Sequence, residues 1–406
     1  MTTHLTPIAP RERVATLDVL RGIALCGVMI GNMVLYSGRW TTRGAHSAAP
    51  EGTRLDQIAG RFQSIFVDSK AQTLLTFLFG FGFAVQLLRA EARQEPVMGL
   101  YLRRLGALFV LGLLHITLLW WGDVTWTYAV AGLGLLAFLR TSNRTRVLAG
   151  LALIFVPYLV ISIPALGQPL GRLFLEPKAF EAHTVQMAAA LHRPDRAGLA
   201  WEHLQYALVW CSRIYAWYFF WTLGRFLLGY VAGQLRWFDD DGARHLPMFR
   251  RMAAGCGATA VVTTTLGLLD RLGYVPLHTY GTAGRLATAA MYQLGLLAAT
   301  LTYVAIVVLL MQLPPWRRVL RVLAPVGRMP LTTYFSQSLI CTFLFYGWGL
   351  GWAGSVGVAG GLGLAVAIFS VEVVLCHLWL RYFRFGPLEW LWRSAVYLKL
   401  SPMRVS

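Results

Sequence analysis

Apolar residues fall along this chain in ten long blocks, separated by short polar, glycine-bearing or proline-bearing breaks. The blocks cover roughly 17–38, 65–88, 103–121, 124–139, 145–166, 206–235, 252–269, 288–311, 331–351 and 355–380. A helix of about 20 residues rises ~30 Å, the thickness of a bilayer's hydrocarbon core, and only lipid rewards so uniform an apolar surface. The pattern predicts an all-α fold: a polytopic transmembrane helical bundle of about ten spans, one integral membrane domain over residues 1–406. Blocks three and four read as a tight hairpin across Gly122-Asp123, and blocks nine and ten as another across Trp352-Ala353-Gly354. Residues 1–16 are polar and basic, and the run that follows is longer than the apolar part of a signal peptide, so it is taken as the first span.

Composition agrees. The chain is 57% hydrophobic and only 13% charged, about half the charge a soluble protein carries. Its net charge of +18 raises nucleic-acid binding, but the basic residues punctuate apolar runs and form no stripe, so none is expected. They sort by side. The N-tail, 89–104, 140–146, 236–251, 312–330 and the C-tail carry about twice the Lys and Arg of the alternate segments, which predicts both termini in the cytoplasm. The longest loop, 167–205, is then external. It has a helical-looking stretch near Glu176–Leu191, and both a cap over a site and a solvated connector fit it. The five cysteines lie in apolar blocks without a C-x-x-C pair and read as small buried hydrophobes.

An ionisable side chain at membrane depth is costly, and so points to function unless it is paired. Along their helices Asn32 stands ~21 Å above Asp18 and His115 ~18 Å above Arg103. Asn32, His115, Lys70 and Asp123 therefore gather in the outer half, with Arg213 near the outer end of the sixth block. A histidine with a carboxylate, a lysine and an asparagine suffices for acid–base chemistry with anion stabilisation. The inner half holds Asp18, Arg21, Arg225, Arg328 and Glu372. Asp18 and Arg21 are three apart on one helix and pair in the simplest reading; the arginines otherwise suit a phosphate-bearing ligand from the cytosol. Thr332, Thr333, Tyr334, Ser336, Gln337 and Ser338 crowd the ninth block, which implies burial against protein or a cavity. Gly80 and Gly82 read as close-packing positions. The nine histidines show no metal-ligand spacing, and no metal is expected.

Several segments together resemble one family. Thr16-Leu17-Asp18-Val19-Leu20-Arg21-Gly22-Ile23-Ala24, followed by Asn32-Met33, is similar to the opening of YeiB-like bacterial membrane proteins (domain of unknown function 418). Lys70 to Gly82 resembles that family's K-F-x-x-L-F-x-x-L-F-G-x-G segment, with Ala71 in place of its aromatic residue. His115 through Asp123, with Tyr128-Ala129, resembles H-x-x-x-x-W-x-G-D-I-L-x-x-Y-A. Gly327-Arg328-Met329-Pro330-Leu331-Thr332-Thr333-Tyr334 and Gln337-Ser338 resemble G-R-M-A-L-T-N-Y-x-x-Q-S. Phe385-Gly386-Pro387-Leu388-Glu389-Trp390, then Trp392-Arg393, resembles the closing motif.

The resemblance implies a multi-pass protein of the bacterial cytoplasmic (inner) membrane. Members of the wider group are similar to transmembrane acyltransferases such as heparan-glucosaminide acetyltransferase. In that relative a first-helix asparagine, matched by Asn32, is followed by a catalytic histidine; His46 lies in the corresponding loop here at another spacing. The implied activity is transfer from cytosolic acyl-CoA (acetyl-CoA or longer) to a hydroxyl or amine of a small-molecule, glycan or lipid acceptor. In that scheme His115 is the base, Asp123 orients it, Asn32 and Lys70 stabilise the oxyanion, and Arg225, Arg328 and Arg21 hold the donor's phosphates. A transporter or exporter without covalent chemistry is the alternative. A homo-oligomer is compatible with either.

Overall fold

Helix ends fall where the sequence supplies caps and breakers. In the computed structural model, which describes residues 14–38, 52–92, 94, 97–167, 169, 177–210 and 216–405, Thr53 and Asp56 form a reciprocal capping box and the Ser142 hydroxyl accepts from the Thr145 N–H. Pro314, Pro330 and Pro387 stand in the first turns of their helices, where no intrahelical donor is lost. Sixteen α-helices result among the described residues: α1 (Ala15–Tyr36), α2 (Arg54–Phe66), α3 (Lys70–Ala92), α4 (Val97–Leu118), α5 (Thr125–Leu135), α6 (Asn143–Ser162), α7 (Pro177–Ala190), α8 (Arg196–Trp210), α9 (Ala216–Gln234), α10 (Leu246–Arg271), α11 (Gly281–Met311), α12 (Pro314–Leu320), α13 (Ala324–Arg328), α14 (Pro330–Phe345), α15 (Val358–Tyr382) and α16 (Pro387–Tyr397). No strand occurs among them beyond one isolated bridge, Phe383 to Arg404.

The chain is an all-α polytopic bundle. Seven stretches are long and apolar enough to cross a bilayer: Ala15–Tyr36, Arg54–Ala92, Met98–Leu118, Asn143–Ser162, Asp239–Arg271, Gly281–Met311 and Val358–Tyr382. The other three blocks are helical but weaker. The fourth is the short Thr125–Phe138, the ninth is the 16-residue α14, and the block at 206–235 is described as the end of α8 and as α9, on either side of residues 211–215. Arg213 and His46 lie outside the described residues. Val261, Val262 and Leu268 on α10, and Val371, Val374, Leu375 and Leu378 on α15, point away from the protein. In water such surfaces would be a liability; in lipid they match their solvent.

Glycines set the closest approaches. A Cβ on Gly80 of α3 would stand 2.0 Å from the Phe226 carbonyl oxygen of α9, and one on Gly229 would stand 1.9 Å from that of Phe77. Gly327 of α13 lies the same way against the Asp18 carbonyl of α1, at 1.8 Å. Gly82 does not serve close packing: nothing lies within 4 Å of its Cβ position, and it lines a cavity instead.

The 167–205 loop is folded onto the bundle where it is described. Met187, Ala190, Leu191, Leu199 and Tyr206 join one buried cluster with Met33 and Tyr36 of α1, Trp120, Trp121, and Phe345 of α14. The Gly347 N–H donates to the Leu191 carbonyl at 2.7 Å. These helices are a cap over the Asn32 end of the molecule, not a solvated connector.

Candidate active site

His115 sits one turn from the end of α4, and the Gly122-Asp123 turn folds α5 back beside it. The Asp123 carboxylate receives four donors. Oδ1 accepts from His115 Nδ1 at 2.9 Å and from the Thr125 hydroxyl at 2.7 Å. Oδ2 accepts from the backbone N–H groups of Thr125 at 2.8 Å and Trp126 at 3.3 Å. One oxygen thus caps α5, whose N-terminal dipole favours the negative charge. The other fixes the imidazole. Because a carboxylate only accepts, Nδ1 carries the proton, and in the neutral imidazole Nε2 presents a lone pair. Both side chains are fully buried, and Nε2 has no hydrogen-bond partner among the described residues. An oriented imidazole with a bare Nε2 is the arrangement of a general base.

A cavity of about 1200 Å³ runs beside this dyad along α1, from Asp18 to Asn32 and Leu35. Its Asp18 end is rich in arginine: Arg21, Arg89, Arg104, Arg236, Arg328 and Arg393 line it. Arg21 pairs with Asp18 at 2.9 Å, as their spacing suggests. Arg104 donates to Gln86 and lies over the Trp392 ring. Arg328 is exposed and makes no ion pair or side-chain hydrogen bond among the described residues. Asn32 and Lys70 line the other end. Lys70 follows the break between α2 and α3, where Ser69 has φ 63°, and its Nζ donates to the Ser64 carbonyl at 2.8 Å.

His115 and Asp123 do not line this cavity, although their neighbours Gly122, Val124, Thr125 and Tyr334 do. The Tyr334 ring stands 5.1 Å from the imidazole and Phe335 4.3 Å from it. The dyad is therefore one side chain behind the wall.

Arg225 departs from its expected place. It is not at the arginine-rich end. It lies in the middle of the described part of α9, 4% exposed, in the electrostatic company of Tyr218, Tyr128 and Tyr292.

Two groups escaped the sequence reading. His203 of α8 is buried and lies close enough to His115 for their charges to interact; burial pushes its pKa down to about 3, so it is neutral. A histidine in a loop taken as external gave no signal of this. Glu389 of α16 caps α14: it accepts from the backbone N–H groups of Leu331 at 2.6 Å and Thr332 at 3.1 Å and from the Thr332 hydroxyl. Further along α14, Glu372 accepts from Ser336 at 2.7 Å and Gln337 at 2.9 Å, and Ser338 shares a hydrogen bond with the Tyr36 hydroxyl at 2.7 Å.

Comparisons with known proteins place the chain. Residues 232–399 match the family described as "Protein of unknown function (DUF418)". The chain is 32% identical to "Uncharacterized protein YxaH" of Bacillus subtilis (strain 168), with 99% of this chain and 98% of that one covered. It is 27% identical to "Uncharacterized protein YeiB" of Escherichia coli (strain K12), over 96% and 98%. No solved structure matches. By full-length similarity to these proteins and by the motifs spread along it, the chain belongs to the YeiB-like family, DUF418.

Proposed function

We propose that this protein is a membrane-embedded acyltransferase of the bacterial cytoplasmic membrane. It would take an acyl group from cytosolic acyl-CoA and pass it to a hydroxyl or amine on the far side or within the bilayer. The observation that carries this reading is the His115–Asp123 dyad, buried and aimed, with Nε2 free to take a proton. The cavity supports it. The arginine-rich end suits the donor's phosphates, with Arg328 and Arg21 as first contacts and Arg104 behind them. The acyl thioester would extend along the cavity past Phe79 and Leu75 towards Asn32.

For chemistry to occur, the Tyr334 ring must turn aside and let Nε2 meet the acceptor. His115 would then remove the acceptor's proton as the new acyl bond forms. The oxyanion would be met by Asn32, while the thiolate leaves toward the arginine-rich end and takes up a proton. Lys70, held by Ser64, would act through its charge.

Calorimetric binding of acetyl-CoA and longer acyl-CoAs to purified protein tests the donor, with Arg328→Ala as control. His115→Gln tests the base in an acyl-transfer assay. Binding that survives Arg328→Ala, or transfer that survives His115→Gln, would end this assignment. A transporter is the second reading, favoured by the length of the cavity: solute flux into liposomes without any acyl donor would select it.

A further inference from the structure

Arg225 is a cation without a counter-charge among the described residues. It is 4% exposed, and its Nε is buried and unpartnered. Among the described residues no carboxylate is in ion-pair range and no side-chain hydrogen bond reaches its guanidinium. Such a group in a membrane bundle is strongly unfavourable unless something neutralises it. Its surroundings are prepared for an anion. The hydroxyls of Tyr128, Tyr218 and Tyr292 are its electrostatic neighbours, and Gln72 donates to Tyr218.

The site also adjoins the cavity. Gln72, Tyr128 and Tyr292 line the cavity wall. Phe226, next to Arg225 in the chain, stacks on the cavity-lining Phe79 at 4.5 Å and packs edge-on to Tyr128 at 5.5 Å. Arg225 is thus one layer behind the wall, away from the arginine-rich end.

We infer that Arg225, reached between the phenols of Tyr128 and Tyr292 that line the wall in front of it, binds a carboxylate of the ligand that occupies the cavity. A single guanidinium among phenol hydroxyls matches one negative charge, and a planar carboxylate fits its two-pronged face. The acceptor or solute that enters the cavity then carries a carboxylate. This holds for an acyl acceptor and for a transported solute alike, so it stands or falls separately from acyl transfer.

The test is thermal unfolding of the detergent-purified full chain, in sodium chloride and in sodium hexanoate at equal ionic strength, with sodium phosphate as a third arm. Arg225→Met keeps the side-chain bulk and removes the charge. The wild type should gain about 2 °C or more in hexanoate over chloride through binding to the folded state alone. Arg225→Met should match or exceed the wild type in chloride, because an uncompensated charge is gone, and should not respond to hexanoate. Tyr128→Phe should reduce the response. Three results would overturn the inference: Arg225→Met less stable than wild type in chloride, an equal hexanoate response in both proteins, or no wild-type response to hexanoate. A response confined to phosphate would overturn the carboxylate assignment.

Discussion

Replacing Asp123 by Asn keeps the shape of the site and inverts half of its polarity. All four groups around the carboxylate are donors, and an amide offers one accepting oxygen. The backbone N–H groups of Thr125 and Trp126 cannot turn away, so the oxygen should stay with them and the NH₂ should face His115 and the Thr125 hydroxyl. Both can adapt: the hydroxyl rotates, and His115 moves its proton from Nδ1 to Nε2. All four charge-assisted bonds become ordinary ones, at about 1 kcal/mol each, and Nε2–H then lacks a partner, at a further ~1–3 kcal/mol. The expected loss of stability is roughly 5–7 kcal/mol, with the lone pair withdrawn from the position where a base needs it. Nitrogen-15 spectra of histidine-labelled protein read the tautomer directly, with His115→Gln to assign the signal. In the wild type Nε2 should be the unprotonated nitrogen, and in Asp123→Asn it should be Nδ1. A wild-type signal from protonated Nε2, or a tautomer unmoved by Asp123→Asn, would refute the reasoning, and with it the assignment of His115 as base.

Other expectations follow from the packing. Gly80→Ala should lose about 1–3 kcal/mol, since its Cβ meets immobile backbone, while Gly82→Ala should be neutral or gain up to about 1 kcal/mol from helix propensity; chemical unfolding of the pair separates them. Gly347→Val, whose Cβ would stand 2.3 Å from the His192 carbonyl oxygen, should lift the cap and speed limited proteolysis within 177–210. His203 is neutral in the fold and protonates in the unfolded chain below its ordinary value of 6.5. The unfolded state therefore binds the extra proton between that value and about 3, and wild-type stability should fall as pH drops below 6.5. The slope attributable to His203 should approach about 1.4 kcal/mol per pH unit, and should be absent in His203→Gln when the two melting curves are compared.

The helical architecture was legible because membrane spans are written as long apolar runs. The dyad was legible because two facts fix it: the height of His115 on its helix and a turn that returns Asp123 to that height. Arg225 was misplaced because its neighbours Tyr128 and Tyr292 lie on α5 and α11, and no local pattern records which distant helices meet. His203 was invisible for a related reason. Its burial comes from the docking of a segment polar enough to read as a loop, and docking is a property of partners distant in sequence. Gly80 and Gly82 look alike in sequence, but they face different sides of α3, and only one meets a neighbour.

The groups with chemistry to offer are concentrated on helices poorly equipped to enter a bilayer alone. Asp123, Thr125 and Tyr128 belong to a hairpin arm that ends at Phe138, Arg225 and Tyr218 to α9, and Tyr334 to the 16-residue α14. During synthesis such segments depend on robust partners to carry them in: α4 for the arm, α3 and α6 for α9, and α1 for α14. Biogenesis, more than finished stability, is thus where this protein is exposed. A polar substitution on the lipid side of α4, far from any ligand, would weaken the insertion of the segment that bears the site, and its first symptom would be missing protein in the membrane rather than a slower reaction.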